Sequence, residues 1–139
     1  MKYFIDTNFI IDVFERKNPD SITKLSLILE DSNNEIFYNG IVYTETLRTI
    51  LDENTFSELK SAFALFTWLD IDQSIYRETK KFSRYCRSQD IRVAKGKCEI
   101  IDMIHFITAK HYGLKLLSND GDMIKLENAY QQFLISPTY

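Results

Sequence analysis

The sequence predicts an α/β domain built around a mostly parallel sheet. Short apolar runs alternate along the chain with longer segments of helical periodicity, the order expected when a helix connects each strand to the next. Glycine and proline are scarce, at four and two in 139 residues, and no linker, repeat or low-complexity tract divides the chain. We therefore predict a single domain over residues 1–139, long enough to bury a hydrophobic core.

Five apolar runs are predicted strands, and most of the chain between them is predicted to be helical. The strands cover residues 2–6, 35–40, 67–72, 114–120 and 131–136. The helices cover residues 8–15, 21–30, 41–52, 56–66, 74–88 and 98–111, with a loop at 92–97. Ser21 is the expected N-cap of the second helix, and Gly113 is the expected left-handed residue that ends the last one.

Composition narrows the class of protein. A hydrophobic content of 45% and an aromatic content of 14% argue against disorder. No apolar run approaches the roughly 20 residues of a membrane span, and no secretory signal pattern opens the sequence. Cys86 and Cys98 lack CxxC spacing and are expected to be reduced thiols of a cytoplasmic protein. The formal charge of −3 gives no overall basic footprint for nucleic acid.

Several acids fall where the chain leaves a predicted strand or begins a helix. Asp6 ends the first strand, Glu45 lies early in the helix after the second, and Asp102 lies early in the helix 98–111. Asp120 and Asp122 follow the apolar run "LKLLS". Ligands of parallel sheets bind beyond the carboxyl ends of the strands, so we predict that these acids converge there.

Each acid also has a purely structural interpretation. Asp6 fits a helix cap, Glu45 fits the favourable N-terminal turn of a helix, and Asp102 could pair with His105. The segment "NDGD" fits a simple turn. Two features favour a functional set: Asp102 lies among isoleucines, and "SNDGD" places two carboxylates directly after an apolar strand.

Carboxylates crowded at one sheet edge need a counter-charge, because neighbouring negative groups repel and one takes up a proton. Mg²⁺ or Mn²⁺ supplies that charge, since both prefer hard oxygen ligands and Mg²⁺ also accepts substrate phosphate oxygens. Two such ions about 3.5–4 Å apart clamp the attacking and leaving oxygens of a phosphodiester. The acids therefore predict metal-dependent phosphodiester hydrolysis.

Three segments, taken in order, resemble the PIN domain: "FIDTNFIIDVF", "VYTETL" and "IIDMIHFITAKHYGLKLLSNDGDM". The chain length is similar to that of a stand-alone VapC-type ribonuclease toxin. The resemblance implies a three-layer α/β/α fold with a five-stranded parallel sheet, and Mg²⁺- or Mn²⁺-dependent endonucleolytic cleavage of RNA. It also implies a homodimer that a small VapB-like antitoxin holds inactive.

The resemblance assigns roles to individual residues. The implied catalytic and metal-binding acids are Asp6, Glu45, Asp102 and Asp120, with Asp122 as an auxiliary metal ligand. Small polar residues that support the acids or contact phosphate are implied at Thr7, Asn8 and Ser118. The sequence departs from the family pattern in the bulky "MIHF" after the third acid and in the glycine between the last two acids.

A short basic segment precedes the helix that carries Asp102. Arg92, Lys95 and Lys97 are placed to contact an RNA backbone, and an ordinary solvated loop is the equal alternative. If metal offsets the five acids, the formal charge of −3 + 5 leaves +2, so the net charge argues less strongly against nucleic acid. The Phe56, Phe63, Phe66 and Trp68 cluster is expected in the core, with any exposed member available to a partner.

Three rival functions remain open at this point. The nuclease could serve housekeeping RNA processing without an antitoxin, or the acids could hold a metal or a partner's basic segment without turnover. A phosphoryl-transfer enzyme could use Asp6 as its nucleophile, but no lysine follows a later strand in a convincing place to assist it.

Overall fold

Four parallel strands and seven helices make up the described part of the chain in the computed structural model, which describes residues 1–93 and 99–136. The strands are β1 (Lys2–Ile5), β2 (Glu35–Tyr38), β3 (Thr67–Trp68) and β4 (Lys115–Leu117). The helices are α1 (Thr7–Phe14), α2 (Pro19–Glu30), α3 (Gly40–Leu47), α4 (Glu53–Leu65), α5 (Gln73–Ser88), α6 (Glu99–Tyr112) and α7 (Asp122–Leu134).

The chain divides into two compact units. The first unit comprises Met1–Asp70 with Leu114–Asn119, and it contains the whole sheet and helices α1 to α4. The second unit comprises Ile71–Gly113 with Asp120–Tyr139, and it contains α5, α6 and α7. None of the helices in the described part of the chain is both long and apolar enough to cross a membrane.

The sheet of the first unit is entirely parallel, in the order β3-β2-β1-β4. Tyr3 on the central strand β1 stands opposite Ile36 on one side and Lys115 on the other. The Asp6 N–H donates to the Leu117 carbonyl at 3.1 Å, which ties the residue after β1 to the end of β4. The predicted parallel α/β sheet is confirmed.

Each helix of the first unit begins at a side-chain cap that satisfies an N–H group of its first turn. The capping residues are Asp6, Asn18, Asn39 and Asp52. The prediction that Ser21 caps α2 is wrong, because Asn18 accepts the Ser21 N–H at 3.0 Å and Pro19 occupies the first helical position. Ser21 is instead a buried residue of the first turn.

The core of the first unit combines aliphatic side chains of the sheet with an aromatic cluster. Phe4, Ile5 and Leu117 are fully buried on β1 and β4. Tyr38 at the end of β2 packs on Phe63 of α4, with ring centroids 4.7 Å apart. Trp68 is half exposed at the margin of this cluster, so it is the member with surface left for a partner.

The second unit is held together by aromatic side chains from its three helices. Phe82 of α5 is fully buried, stacks on Phe106 of α6 with centroids 5.6 Å apart, and lies 5.4 Å from Phe133 of α7. Cys86 is a buried free thiol, and burial, followed by the charge of Glu99, raises its pKa to about 11. Such a thiol is unreactive, whereas Cys98 lies outside the described residues.

The predicted fifth strand at residues 131–136 is wrong, because most of this segment belongs to α7. Leu126 and Ala129 are buried, and Phe133 contacts Phe82, so the apolar positions recur every three or four residues as in an amphipathic helix. The run "FLI" predicts a strand when it is taken alone, because the polar residues before it make the helical spacing of apolar residues difficult to recognise. The sheet therefore has four strands in the described residues, not five.

Other predicted bounds shift where a cap intervenes. The strand predicted at 67–72 stops at Trp68, and the helix predicted to reach residue 52 stops at Leu47. Asp72 and Asp52 are instead the N-caps of α5 and α4. Gly113 is confirmed as the residue that ends α6, with a φ of +66° that glycine adopts without a steric cost.

Candidate active site

Asp6 lies at the carboxyl end of β1 and is also the N-cap of α1. Its Oδ1 accepts the Phe9 N–H at 2.9 Å, and the residue is only 6% exposed. The cap bond engages one of the two carboxylate oxygens. The structural and the functional interpretations of this acid are therefore compatible, since capping a helix does not consume the whole group.

Glu45 is connected to the residue that follows Asp6. The Thr7 hydroxyl, at the first position of α1, donates to Glu45 Oε1 at 2.9 Å, across 38 positions of sequence. Glu45 lies one turn further into α3 than a first-turn position, because α3 begins at Gly40. The fold thus brings the neighbourhood of Asp6 and the side chain of Glu45 together beyond the ends of β1 and β2.

Asn39, which the sequence analysis did not single out, occupies the corresponding position after β2. Extension of the β1–β2 register, in which Phe4 stands opposite Phe37, places Asn39 across from Asp6. Asn39 is fully buried and its Oδ1 caps α3 by accepting the Val42 N–H at 3.0 Å. Its Nδ2 has no hydrogen-bond partner among the described residues. A buried amide group without a partner costs about 1–3 kcal/mol, and functional sites are one place where such a cost is retained.

Asn119, in the segment after β4, is hydrogen-bonded to helices α1 and α2. The sequence alone indicated Asn119 only as part of a turn. Asn119 Nδ2 donates to Asp12 Oδ2 at 2.6 Å and to Ser21 Oγ at 2.8 Å. The Asn119 bond, followed by that from Arg16, lowers the pKa of Asp12. Ser118, the predicted polar residue of this segment, directly follows β4 and is half buried. Asn8, the other predicted polar residue, is half buried in the first turn of α1.

The remaining predicted acids belong to the second unit. Asp102 lies in the first turn of α6 and is half buried, ahead of a continuous buried run from Met103 to Ala109. The Asp122 N–H donates to Asp120 Oδ1 at 2.9 Å, so the two acids form one turn at the start of α7. The turn interpretation of "NDGD" is therefore correct, and the turn uses one oxygen of the Asp120 carboxylate.

The predicted basic segment is described only in part. Arg92 is exposed, its Nε lies 3.8 Å from Asp90 Oδ1, and its carbonyl accepts a hydrogen bond from Lys125 Nζ at 2.9 Å. Lys95 and Lys97 lie outside the described residues.

The donor chemistry of these residues suits a hard divalent cation. Asp6, Glu45, Asp102, Asp120 and Asp122 offer carboxylate oxygens, the donors that Mg²⁺ and Mn²⁺ prefer. Within residues 1–93 and 99–136, however, no three or more His, Cys, Asp or Glu side chains form a group that could hold a metal ion. The metal site therefore remains a prediction from the donors.

Comparison with models of known protein families gives a match to this chain. The model of the PIN domain matches residues 3–129, nearly the whole chain. A search of curated protein sequences gave no match.

Solved structures share the fold at low sequence identity. VapBC2 from Rickettsia felis, bound to a DNA fragment from its promoter, has a TM-score of 0.74 at 16% identity, covering 92% of this chain and 95% of that chain. A toxin–antitoxin complex from Klebsiella pneumoniae has a TM-score of 0.60 at 19% identity, covering 85% and 86%. VapC20 from Mycobacterium tuberculosis, described as a toxin that cleaves the Sarcin-Ricin loop, has a TM-score of 0.63 at 13% identity, covering 88% and 93%.

Proposed function

Because the chain belongs to the PIN domain family, we propose that it is a metal-dependent endoribonuclease that hydrolyses phosphodiester bonds of RNA. The observation that carries the proposal is the hydrogen bond between Thr7 and Glu45, next to the buried carboxylate of Asp6. This contact joins the residue after Asp6, at the start of α1, to an acid of α3, at the sheet edge where parallel α/β folds bind ligands. Neither a cap nor a solvated glutamate requires it.

The proposed acids are Asp6, Glu45, Asp102 and Asp120, with Asp122 as an auxiliary ligand of Mg²⁺ or Mn²⁺. A bound divalent cation supplies an activated water and offsets the negative charge of the acids and the phosphate. Thr7 fixes one Glu45 oxygen by donating a hydrogen bond to it, which restricts the carboxylate to one orientation. Asn39 has an amide donor available, and Asn8 and Ser118 are polar residues that we assign to phosphate contact.

We further propose that the protein acts in the cytoplasm as the toxin of a VapBC-like pair. In this role the single domain forms a homodimer and is held inactive by a small VapB-like antitoxin. The support is the fold shared with VapBC2, with the Klebsiella pneumoniae toxin–antitoxin complex and with VapC20. Housekeeping RNA processing and a catalytically silent binding module are the alternatives.

Metal-dependent cleavage tests the enzyme. Labelled RNA incubated with Mg²⁺ or Mn²⁺ should be cut by the wild type, and cutting should stop when EDTA is added. Asp102→Asn and Glu45→Gln should each lower the cleavage rate by about 100-fold or more, since they remove a charged metal ligand at nearly constant volume. Cleavage that survives both substitutions would eliminate the mechanism, and metal uptake without cleavage would favour the silent module.

Growth on expression tests the biological role. The toxin proposal expects growth arrest that requires Asp102 and is relieved by co-expression of a small protein encoded beside this one. Active enzyme without arrest would favour housekeeping RNA processing.

A further inference from the structure

Helix α5 concentrates positive charge in a chain that is acidic overall. It carries five basic residues and one acid, Glu78, so its formal charge is 5 − 1 = +4, against −3 for the whole chain. Glu78 lies 3.0 Å from the His111 ring. None of the five basic side chains forms an ion pair within the described residues, and the residues outside that range contain no Asp or Glu.

A groove of about 370 Å³ runs between α5 and α6 beside this charge. Its apolar surface comes from Tyr76, which is 53% exposed, and from Ile100, which is 45% exposed, with Ile104 beneath. Its basic side is formed by three residues of α5, namely Lys80, Arg84 and Arg87.

A buried threonine also lines this groove. Thr79 lines the groove and is 2% exposed, and its Oγ1 has no hydrogen-bond partner in the part of the chain that the structure describes. A helical threonine normally satisfies its hydroxyl on a carbonyl of the preceding turn.

We propose that the α5–α6 groove is an accessory binding site for single-stranded RNA. Unpaired cations that follow one helix, next to an exposed aromatic ring, are the combination that binds the backbone of a single strand and stacks its bases. Lys80, Arg84 and Arg87 contact phosphates, and Tyr76 stacks a base. This inference rests on the proposed function, which supplies RNA as the polyanion.

The groove is distinct from the position of Asp102, the proposed acid of α6. Asp102 is two positions from both Ile100 and Ile104, so it lies on the opposite side of α6. A helix with its side chains is about 10 Å across, so an RNA strand needs only a few nucleotides to reach from one side to the other. The groove therefore extends recognition beyond the cleaved bond and favours long single strands over very short ones.

Binding without cleavage tests the site. A fluorescein-labelled 12-nucleotide oligouridylate is titrated in EDTA against Asp6→Asn protein, which holds the RNA uncut, and anisotropy is measured from 50 to 200 mM salt. Replacing Lys80, Arg84 and Arg87 together by Gln should weaken binding at least tenfold at low salt. It should also lower the slope of log affinity against log salt by about 2, the value for three phosphate contacts on a single strand.

A charge-matched control separates the site from general attraction. Replacing Lys24, Lys60 and Lys115 together by Gln changes the net charge equally, and none of these exposed lysines forms an ion pair with a described residue. This control should bind like the parent protein.

In the groove, Tyr76→Phe should retain binding, and Tyr76→Ala should weaken it several-fold.

Three outcomes would overturn the proposal: equal weakening by both triple variants, an unchanged salt slope, or displacement of RNA by polyglutamate at equal charge. The last would assign the groove to an acidic protein segment instead. Because the assay needs no cleavage, failure of the wild type to cut RNA would count against the proposed function alone.

Discussion

Asp6 and Asp72 begin helices in the same way but have different surroundings. Each accepts the N–H of the residue three positions later, Phe9 for Asp6 and Ile75 for Asp72. Asp6 is buried at the end of a central strand, whereas Asp72 is exposed at the start of α5. The local signal, an acid directly before a helix, is therefore the same in a proposed catalytic residue and in a structural one.

The residues that distinguish the two acids come from far along the chain. Both carboxylate oxygens of Asp72 accept hydrogen bonds within the second unit. Oδ1 accepts from Ser74 and from the Ile75 N–H. Oδ2 accepts from the Tyr112 hydroxyl at 2.9 Å, from a residue 40 positions away. The Ser74 hydroxyl, followed by that of Tyr112, lowers the pKa of Asp72 to about 2. Next to Asp6, by contrast, the distant contact is made to a second acid, through Thr7 and Glu45. Asp72 is thus held by hydrogen-bond donors of its own unit, whereas the residue next to Asp6 is bonded to the proposed metal ligand Glu45.

The largest difference is expected when each capping aspartate is replaced by asparagine. Asn is as good an N-cap as Asp, so Asp6→Asn should change the unfolding free energy by less than about 1 kcal/mol. It should nevertheless lower RNA cleavage by about 100-fold or more, because a metal-binding charge is lost. Asp72→Asn, the matched control, should retain full cleavage. Equal activity of the two variants would remove the distinction.

A smaller loss is expected when the Thr7 hydroxyl is removed. Thr7→Val keeps the shape of the side chain but removes the hydroxyl that donates to Glu45, and kcat/KM should fall about tenfold, as for other residues that orient a ligand. Thr7→Ser restores the hydroxyl and should restore activity. If Val and Ser behave alike, the contact has no role in cleavage.

Asn39 extends the comparison to a third cap, which is fully buried. Asn39→Ser keeps a cap acceptor for Val42 and removes the amide donor that has no partner, so stability should change by less than about 1 kcal/mol. Cleavage should fall several-fold, measured beside urea unfolding of the same preparation. Unchanged cleavage would restrict Asn39 to capping.

The smallest effect is a pH dependence confined to the second unit. The pKa of Asp72 is about 2 when folded, against an ordinary value of 3.8, so its stabilising contribution is complete above pH 3.8 and is lost as the pH falls towards 2. Tyr112→Phe removes one donor and should flatten the fall of the urea midpoint between pH 3.8 and 2. Tyr76→Phe, at an exposed tyrosine of the same unit, should leave the fall unchanged. An identical pH profile for both variants would show that Tyr112 does not stabilise the charged form.

Local patterns in the sequence determined much of the fold. The starts of α1, α3, α5 and α6, the end of α6 at Gly113 and the alternation of strands and helices depend on hydrogen bonds and periodicities within a few residues. The same patterns located Asp6 and Asp102 at element boundaries. These features could be predicted because the groups that decide them are neighbours in the chain.

Tertiary structure decided what these local patterns left open. The sequence of residues 131–136 predicts a strand, whereas in the fold Phe133 belongs to α7 and packs on Phe82 of another helix. The groove between α5 and α6, the Asn119 bonds and the link between Thr7 and Glu45 join positions from about 20 to more than 100 residues apart. Such contacts depend on which faces pack together, and a single sequence carries no local signal for that. The residue types at the candidate site could thus be identified from the sequence, whereas their partners required the fold.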